Sequence, residues 1–252
     1  MKIFLSPAKR LNEKEYEIPT ELSTPKFLED AKIVMESLSK KSPRKLQNLQ
    51  KISSDLAALN YERNHSWKAQ TKGDNVYPAA WMFDGEVYRG LRDSQLNKEE
   101  IKYFQENLII LSGLYGALRI TDAVMPYRLE MGTDLKVGKH NNLYEFWTDK
   151  ITSYVNDQIA EDELLLDLSS KEYISVLDRD KMKGKWIDVK FKDFRNGELK
   201  QITVYFKKAR GEMALYCAKT KANSLDDLKK FDGMGYAYDD NLSTDDLLVF
   251  TR

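Results

Sequence analysis

Ile3-Phe4-Leu5-Ser6, Ile109-Ile110-Leu111-Ser112 and Leu165-Leu166-Asp167-Leu168-Ser169 are three short runs, far apart in the chain, that each end in Leu-Ser. Each is apolar up to its serine, with one acid in the third, as befits a strand covered on both faces. If they are neighbours in one largely parallel sheet, their serines and the loops that follow share a rim. Ligands of open sheets bind at that rim, beyond the carboxyl ends of the strands. The repetition therefore points to a site before any residue has a chemical role. The competing reading is that Leu-Ser closes three strands by coincidence.

Helical and strand patterns fill the space between these runs. Thr24-Pro25 predicts a helix start, with Phe27, Ala31, Val34 and Leu38 as its buried stripe, and Ser42-Pro43 predicts another carrying Leu46 and Leu49. Ala79 to Phe83 reads as a strand stopped by Asp84-Gly85, and Asn97 with Glu100 as a capping box before Ile101 and Phe104. Leu143, Trp147, Ile151 and Val155 recur at helical spacing, and Ser224 with Asp227 caps a short helix. Trp186 to Phe206 reads as two strands joined through Arg195-Asn196-Gly197-Glu198, and Tyr236 to Phe250 as a final acidic hairpin. Strands and helices mix without βαβ regularity, so the expected class is α+β, with a mixed, partly parallel sheet and surrounding helices. No linker or repeat divides residues 1–252, which are expected to form a single compact domain.

Composition narrows the function. The 252 residues carry 40 Lys plus Arg against 40 Asp plus Glu, so a polyanion would be held by a local basic patch and not by global attraction. One cysteine, Cys217, excludes an internal disulfide framework and suits a reducing cytoplasm. With two histidines, His65 and His140, no Cys/His zinc site can be assembled, and neither a metal nor a cofactor is expected. The chain enters a strand at once and has no membrane-length apolar run, so a cytoplasmic protein with no membrane partner is expected. His65 and His140 read as surface residues and Cys217 as helix packing, which leaves Lys, Tyr, Glu and Asp for any proton transfer.

Cations gather in a few places. In the hairpin reading, Ile187, Val189, Phe191, Ile202, Val204 and Phe206 face the core. Lys190, Lys192, Thr203, Tyr205 and Lys207 then form a cationic face, either for a sugar-phosphate backbone or simply for solvent. Lys207-Lys208-Ala209-Arg210-Gly211 would lie where the second strand hands over to a helix beginning near Glu212, a strong anion site if the helix start is there. An ion-pair cluster is the structural alternative. Pro126-Tyr127-Arg128-Leu129-Glu130-Met131-Gly132 sets a cation and an acid beside a phenol, as a site or as a braced loop. Ser112-Gly113-Leu114-Tyr115-Gly116 supplies glycines but no P-loop spacing; Ser6-Pro7-Ala8-Lys9-Arg10 and Ser169-Ser170-Lys171 put hydroxyls and cations at the rim. Residues 43–60 have helix-hairpin-helix spacing, with Lys51-Ile52-Ser53 at the turn and Lys40, Lys41, Arg44 and Lys45 upstream. That motif grips a DNA phosphate through the backbone of its turn; an ordinary pair of helices is the alternative.

Taken together, Ser6-Pro7-Ala8-Lys9, Leu111 to Gly116, Pro126 to Gly132, Leu143-Tyr144-Glu145-Phe146-Trp147 and Lys207 to Gly211 resemble the YaaA family of peroxide-stress proteins, from the first strand to Phe250. The resemblance implies a cytoplasmic bacterial protein that protects against hydrogen peroxide, in part by limiting unincorporated iron. It also implies an unusual α+β fold with a positively charged cleft and a helix-hairpin-helix, and DNA binding linked to repair. The turn Lys51-Ile52-Ser53 departs from the glycine-flanked form of that motif.

The leading expectation is thus a peroxide-stress protein that binds double-stranded or branched DNA without reading sequence. Its DNA or anion cleft would comprise Ser6, Lys9, Ser112, Tyr115, Tyr127, Arg128, Glu130, Ser169, Lys208 and Arg210, with hairpin phosphate contacts from Lys45, Lys51, Ser53 and Ser54. The alternative is an enzyme acting on a small anionic or nucleotide-like substrate in the same cleft. No catalyst or reaction can be named, and the reading leans away from an enzyme.

Overall fold

A computed structural model of the chain describes residues 1–14, 18 and 20–252. In chain order the elements begin with β1 (Lys2–Leu5), α1 (Leu28–Ser39), α2 (Pro43–Gln50), α3 (Ser54–Ser66), β2 (Tyr77–Pro78), α4 (Ala79–Met82), α5 (Glu86–Asp93) and α6 (Lys98–Asn107). There follow β3 (Leu108–Ser112), β4 (Gly116–Leu118), β5 (Ala123–Val124), α7 (Leu143–Asn156), β6 (Leu164–Asp167) and α8 (Lys171–Ile174). The last third holds β7 (Lys185–Arg195), β8 (Glu198–Lys200), α9 (Thr203–Thr220), α10 (Leu225–Lys229), β9 (Ala237–Tyr238) and β10 (Leu247–Thr251).

The main sheet runs β4-β3-β1-β6-β7-β10-β9, so the three Leu-Ser strands are neighbours with β1 in the middle. Both contacts of β1 are parallel, with Phe4 opposite Ile109 on one side and Asp167 on the other. β7 and β10 extend the parallel block, while β4 and β9 pair antiparallel with their neighbours at its edges. The fold is α+β with a mixed sheet. β1 and β3 are buried at every position, which is why they read as continuous apolar runs without alternation.

Several elements form where the side-chain chemistry places them. Ser42 caps α2, Asn97 and Glu100 make a reciprocal capping box on α6, and Ser224 caps α10. Leu143, Trp147, Ile151 and Val155 are the buried stripe of α7, and the final hairpin pairs Tyr238 with Phe250. Four expectations need correction. The first helix begins at Leu28, with no side-chain cap, although Phe27, Ala31, Val34 and Leu38 are buried as expected. Ala79 to Met82 is a helical turn, not a strand; four buried apolar residues have no period that separates the two.

The third and fourth corrections belong together. β7 is as long as expected and turns at Asn196-Gly197, both with positive φ, but its return strand ends at Lys200. β7 is an interior strand flanked by β6 and β10, so a full-length return partner has no free edge. The chain instead turns helical at Thr203, where the Phe206 N–H donates to the Ile202 carbonyl at 3.0 Å, and α9 continues to Thr220. Val204 is exposed, so Ile202, Val204 and Phe206 do not form a buried strand face with Thr203, Tyr205 and Lys207 opposite.

One buried acid joins the segment before α1 to the loop after β4. Asp122, 1 % exposed, accepts from the Ser23 hydroxyl at 2.7 Å and from the Arg119 N–H at 2.8 Å. Burial outweighs these hydrogen bonds and pushes its carboxyl up to about 6. A raised carboxyl adds stability below its unfolded value, near pH 4, and that stability is lost as pH rises towards about 6. In urea denaturation, wild type should therefore lose on the order of 2 kcal/mol relative to Asp122→Asn between pH 4 and 6.5. Parallel pH profiles for the two proteins would disprove this.

Candidate functional site

The parallel register of β3, β1 and β6 sets Ser112, Ser6 and Ser169 along one rim, but at different depths. Ser112 is fully buried, 2.6 Å from the Tyr127 hydroxyl, and accepts from the Tyr115 N–H at 3.0 Å. The Tyr115 hydroxyl accepts from the Trp67 indole at 2.9 Å and from the Met125 N–H at 3.1 Å, and burial pushes its pKa up to about 12. Burial raises Tyr127 as well. Ser169 is buried and donates to Asp167 Oδ1 at 2.8 Å. Ser112, Tyr115 and Ser169 therefore brace the rim from beneath. Ser6 lies nearer the surface, where its hydroxyl donates to Ser170 Oγ at 3.2 Å and accepts from the Ser170 N–H at 2.8 Å.

Above Ser6 opens a pocket of about 460 Å³ between the ends of β1 and β6, the start of α5 and the side of α9. Its wall includes Lys9, Arg10, Arg89, Lys207 and Arg210 against Asp84, Glu86 and Glu172. A smaller cavity of about 20 Å³ adjoins it, lined by Lys9, Tyr127, Arg128, Glu130 and Tyr173 among others. Of the expected cleft residues, Ser6, Lys9 and Arg210 line the larger space, while Tyr127, Arg128 and Glu130 reach the smaller one.

Most of these cations already have a carboxylate. Lys9 Nζ is 2.6 Å from one Glu130 oxygen and Arg128 Nη2 is 2.9 Å from the other. Arg10 and Arg92 share Asp84, each at 2.8 Å, and the Arg92 hydrogen bond leads in holding that carboxyl below its ordinary value. Glu86 pairs with Arg89 at 2.9 Å and with Lys208 at 3.5 Å. Among the described residues, Lys207 and Arg210 are the pocket cations without a carboxylate within 4.0 Å. Arg210 is half-buried, and desolvation lowers its pKa against the opposing charge of Asp167. Asp167 itself is held by Ser169 and by Arg179, whose Nη2 is 3.3 Å away.

Lys207 and Arg210 share the pocket wall because α9 has begun four residues before Lys207, which puts positions three apart on one face. This corrects the expected helix start near Glu212. The three cations lie inside the helix, past the free N–H groups that a helix start would offer an anion.

The hairpin forms a second basic region. α2 ends on Lys51 in a left-handed conformation at φ 51°, and Ser53 caps α3 by accepting from the Leu56 N–H at 3.3 Å. Ser54 Oγ donates to Asp55 at 3.4 Å. A lysine thus takes the turn position that glycine favours, at a cost of about 1 kcal/mol. Lys40, Arg44, Lys45, Lys51 and Lys136 are exposed, and none has an ion pair among the described residues. Lys45 and Lys136 share a shallow depression with Lys41 and one acid, Asp134. Gln50 Nε2 donates to the Arg128 carbonyl at 2.7 Å, tying the hairpin to the Pro126–Gly132 segment.

The remaining titratable candidates are accounted for by packing. His65 lies in the last turn of α3 with its ring nitrogen 2.8 Å from the Tyr61 carbonyl, and Cys217 is buried in α9 with its thiol pushed up to about 12. Sequence reasoning missed Asp84, Glu86, Arg89 and Tyr88 as pocket residues. Their signal was present: Asp84-Gly85 precedes charges at Glu86, Arg89 and Arg92, the spacing of a helix face, but it read as the end of a strand.

A family model described as "Peroxide stress protein YaaA" matches residues 1–242. A UPF0246 protein of Flavobacterium johnsoniae is 45% identical over 253 residues, covering 100% of this chain and 100% of the relative. UPF0246 proteins of a Psychrobacter species and of Neisseria meningitidis serogroup A are 44% and 40% identical. The Psychrobacter match covers 100% of this chain and 98% of the relative, and the Neisseria match 98% and 96%.

Proposed function

The chain belongs to the YaaA family of peroxide stress proteins, and from that premise we propose that it acts in the peroxide-stress response by binding DNA without reading sequence. The observation that carries this reading is the row of exposed, unpaired cations on the hairpin: Lys40, Arg44, Lys45 and Lys51, with Lys136 beside them. Phosphate contact from free cations releases counterions at no cost in broken ion pairs. Lys9, Arg128 and Lys208 would form a weaker second contact, because each must leave or share a carboxylate to meet a phosphate. Such binding suits protection and repair of double-stranded or branched DNA in the cytoplasm. The same reading links the protein to limiting unincorporated iron.

Fluorescence-anisotropy titration of labelled duplex across a salt series tests the proposal. The variant Lys40→Gln/Arg44→Gln/Lys45→Gln/Lys51→Gln should flatten the log–log salt slope by about 3–4, at about 0.9 per phosphate contact, and weaken all sequences evenly. Lys208→Gln alone should change it by less than about 1. An unchanged slope in the fourfold variant would remove the hairpin from the interface.

The pocket favours a second reading, binding of a small anionic ligand, because Lys207 and Arg210 line it without a carboxylate partner among the described residues. Its volume of about 460 Å³ falls within the range of about 300–1,000 Å³ typical of small-molecule sites.

A further inference from the structure

We propose that the pocket at the ends of β1 and β6 binds a nucleoside 5′-phosphate, with Arg210 and Lys207 on the phosphoryl group and the nucleoside against Pro7, Ala8 and Val87. This rests on the second reading above, that the pocket takes a small anion, and adds the class of anion. It is independent of the hairpin.

Charge comes first. The pocket wall holds five cations against three acids: Asp84 is paired with Arg10 and Arg92, Glu86 with Arg89 and Lys208, and the Glu172 carboxylate accepts only the Gly132 N–H, at 2.9 Å, among the described residues. Lys9 shares Glu130 with Arg128. Among the described residues, the wall cations left without a carboxylate partner are Lys207 and Arg210, one helical turn apart. Arg210 lies over the Phe206 ring at 5.0 Å, and this half-buried guanidinium has lost part of its hydration with only the charge of Asp167, beyond ion-pair distance, to offset the loss; an anion would supply a direct partner. Asp167, the acid whose charge acts on Arg210, is held by Ser169 and Arg179.

Donor geometry narrows the anion. A guanidinium offers paired N–H groups that match two oxygens of a phosphate or carboxylate, and a lysine adds a point charge. The hydroxyls of Ser6 and Ser170, 3.2 Å apart, line the same space and can rotate to donate. Two cations with two hydroxyls suit the charge and the several acceptor oxygens of a phosphomonoester better than a carboxylate.

Size and polarity account for the rest of the ligand. A phosphate alone would leave most of about 460 Å³ unfilled. The remaining wall is partly apolar, through Pro7, Ala8, Val87 and Leu168, with Tyr88 and Tyr173 behind. An apolar surface beside a phosphate subsite, edged by Glu86, whose Oε2 is buried without a hydrogen-bond partner and can accept from a hydroxyl or amino group, fits a nucleoside. The phosphomonoester has two sources, a free nucleotide or the 5′ end of a DNA strand.

Isothermal titration calorimetry with AMP, dTMP, adenosine and inorganic phosphate tests the site. We expect AMP or dTMP to bind with Kd in the micromolar to sub-millimolar range, phosphate at least tenfold more weakly, and adenosine not measurably. Arg210→Gln should weaken the nucleotide at least tenfold, with Arg210→Lys intermediate; a circular-dichroism melt of each variant checks folding. Ser170→Ala, a smaller change, should weaken it several-fold. Competition with 5′-phosphorylated and 5′-hydroxyl oligonucleotides then assigns the source. Displacement by the phosphorylated strand alone points to a DNA end, and displacement by neither strand to a free nucleotide. If phosphate binds as well as AMP, the nucleoside assignment falls and the small-anion reading stands. If no anion binds, or folded Arg210→Gln binds like wild type, the site is refuted. Duplex affinity of the fourfold hairpin variant is unaffected by any of these results.

Discussion

Gly211→Ala is expected to lower folding stability by about 2–3 kcal/mol, the opposite sign to that of an ordinary helical glycine. In an exposed helix interior, alanine for glycine gains about 1 kcal/mol. Here α9 meets α5, and a Cβ on Gly211 would collide with the Val87 carbonyl oxygen, 2.9 Å from its carbon and 3.1 Å from the Val87 Cα. The obstacle is backbone, so no side-chain rotation relieves it; α5 has to move away from α9. That movement also opens the pocket, since Glu86 and Val87 form one wall and Arg210, the residue before the glycine, forms another. Urea denaturation measures the loss, and nucleotide titration should show weaker binding in the fraction that remains folded. A gain of about 1 kcal/mol would mean that helix propensity governs the position and that the two helices are not in backbone contact.

The same glycine shows where the sequence stops being legible. The three Leu-Ser runs could be read because strands buried on both faces announce themselves by composition; their adjacency was a condition of that reading, and the sheet order meets it. Thr203 to Phe206 could not be read so easily. Thr-Val-Tyr-Phe is β-branched and aromatic, and it follows a strand and an Asn-Gly turn, so local preference favours a return strand. The deciding fact is non-local: β6 and β10, both distant in the chain, pair parallel with β7 and leave no edge for a full-length return strand. Moving the start of α9 back to Thr203 turns Lys207, Lys208 and Arg210 from helix-start residues into a helix face, and with that changes the chemistry assigned to them.

The cations themselves were legible, but their charge balance was not. Lys9, Arg128 and Lys208 stand out in the sequence as sites for phosphate, yet their partners come from Glu130 and Glu86. For Arg128 the partner is two residues away; for Lys9 and Lys208 it is more than 100 residues distant. Long-range pairing of that kind cannot be read from spacing. The hairpin cations stand without ion pairs among the described residues: Pro43 to Gln50 contains no acid, and Asp134, in the same depression as Lys45 and Lys136, pairs with neither. Local composition therefore decides the electrostatics of the hairpin, and tertiary structure decides those of the pocket.

Trp147→Ala should be the most destabilising change considered, at about 4–5 kcal/mol. The indole is fully buried between Phe27 and Phe146, with ring centroids at 5.7 Å and 4.8 Å. Its N–H donates to the Gly113 carbonyl at 3.0 Å, and its six-membered ring lies 2.8 Å from where a Cβ on Gly116 would stand. Gly116 holds φ at 69°, so it serves both the turn and the close approach of the ring. Gly113 in turn has no room for a side chain, because a Cβ there would sit 2.5 Å from the Leu129 carbonyl oxygen. Trp147 thus fixes the β3–β4 turn, and that turn supports the segment carrying Tyr127, Arg128 and Glu130. Alanine removes the ring and strands the Gly113 carbonyl, whose unmet hydrogen bond adds about 1–3 kcal/mol unless water enters. Against a total of about 5–15 kcal/mol, the variant should be largely unfolded well below the wild-type Tm. Trp147→Phe separates the two contributions: it keeps most of the apolar volume and loses the donor, so a cost near 2 kcal/mol is expected. Chemical denaturation of both variants decides the matter, and a loss under about 2 kcal/mol for Trp147→Ala would show that the turn is held by its own backbone and not by the ring.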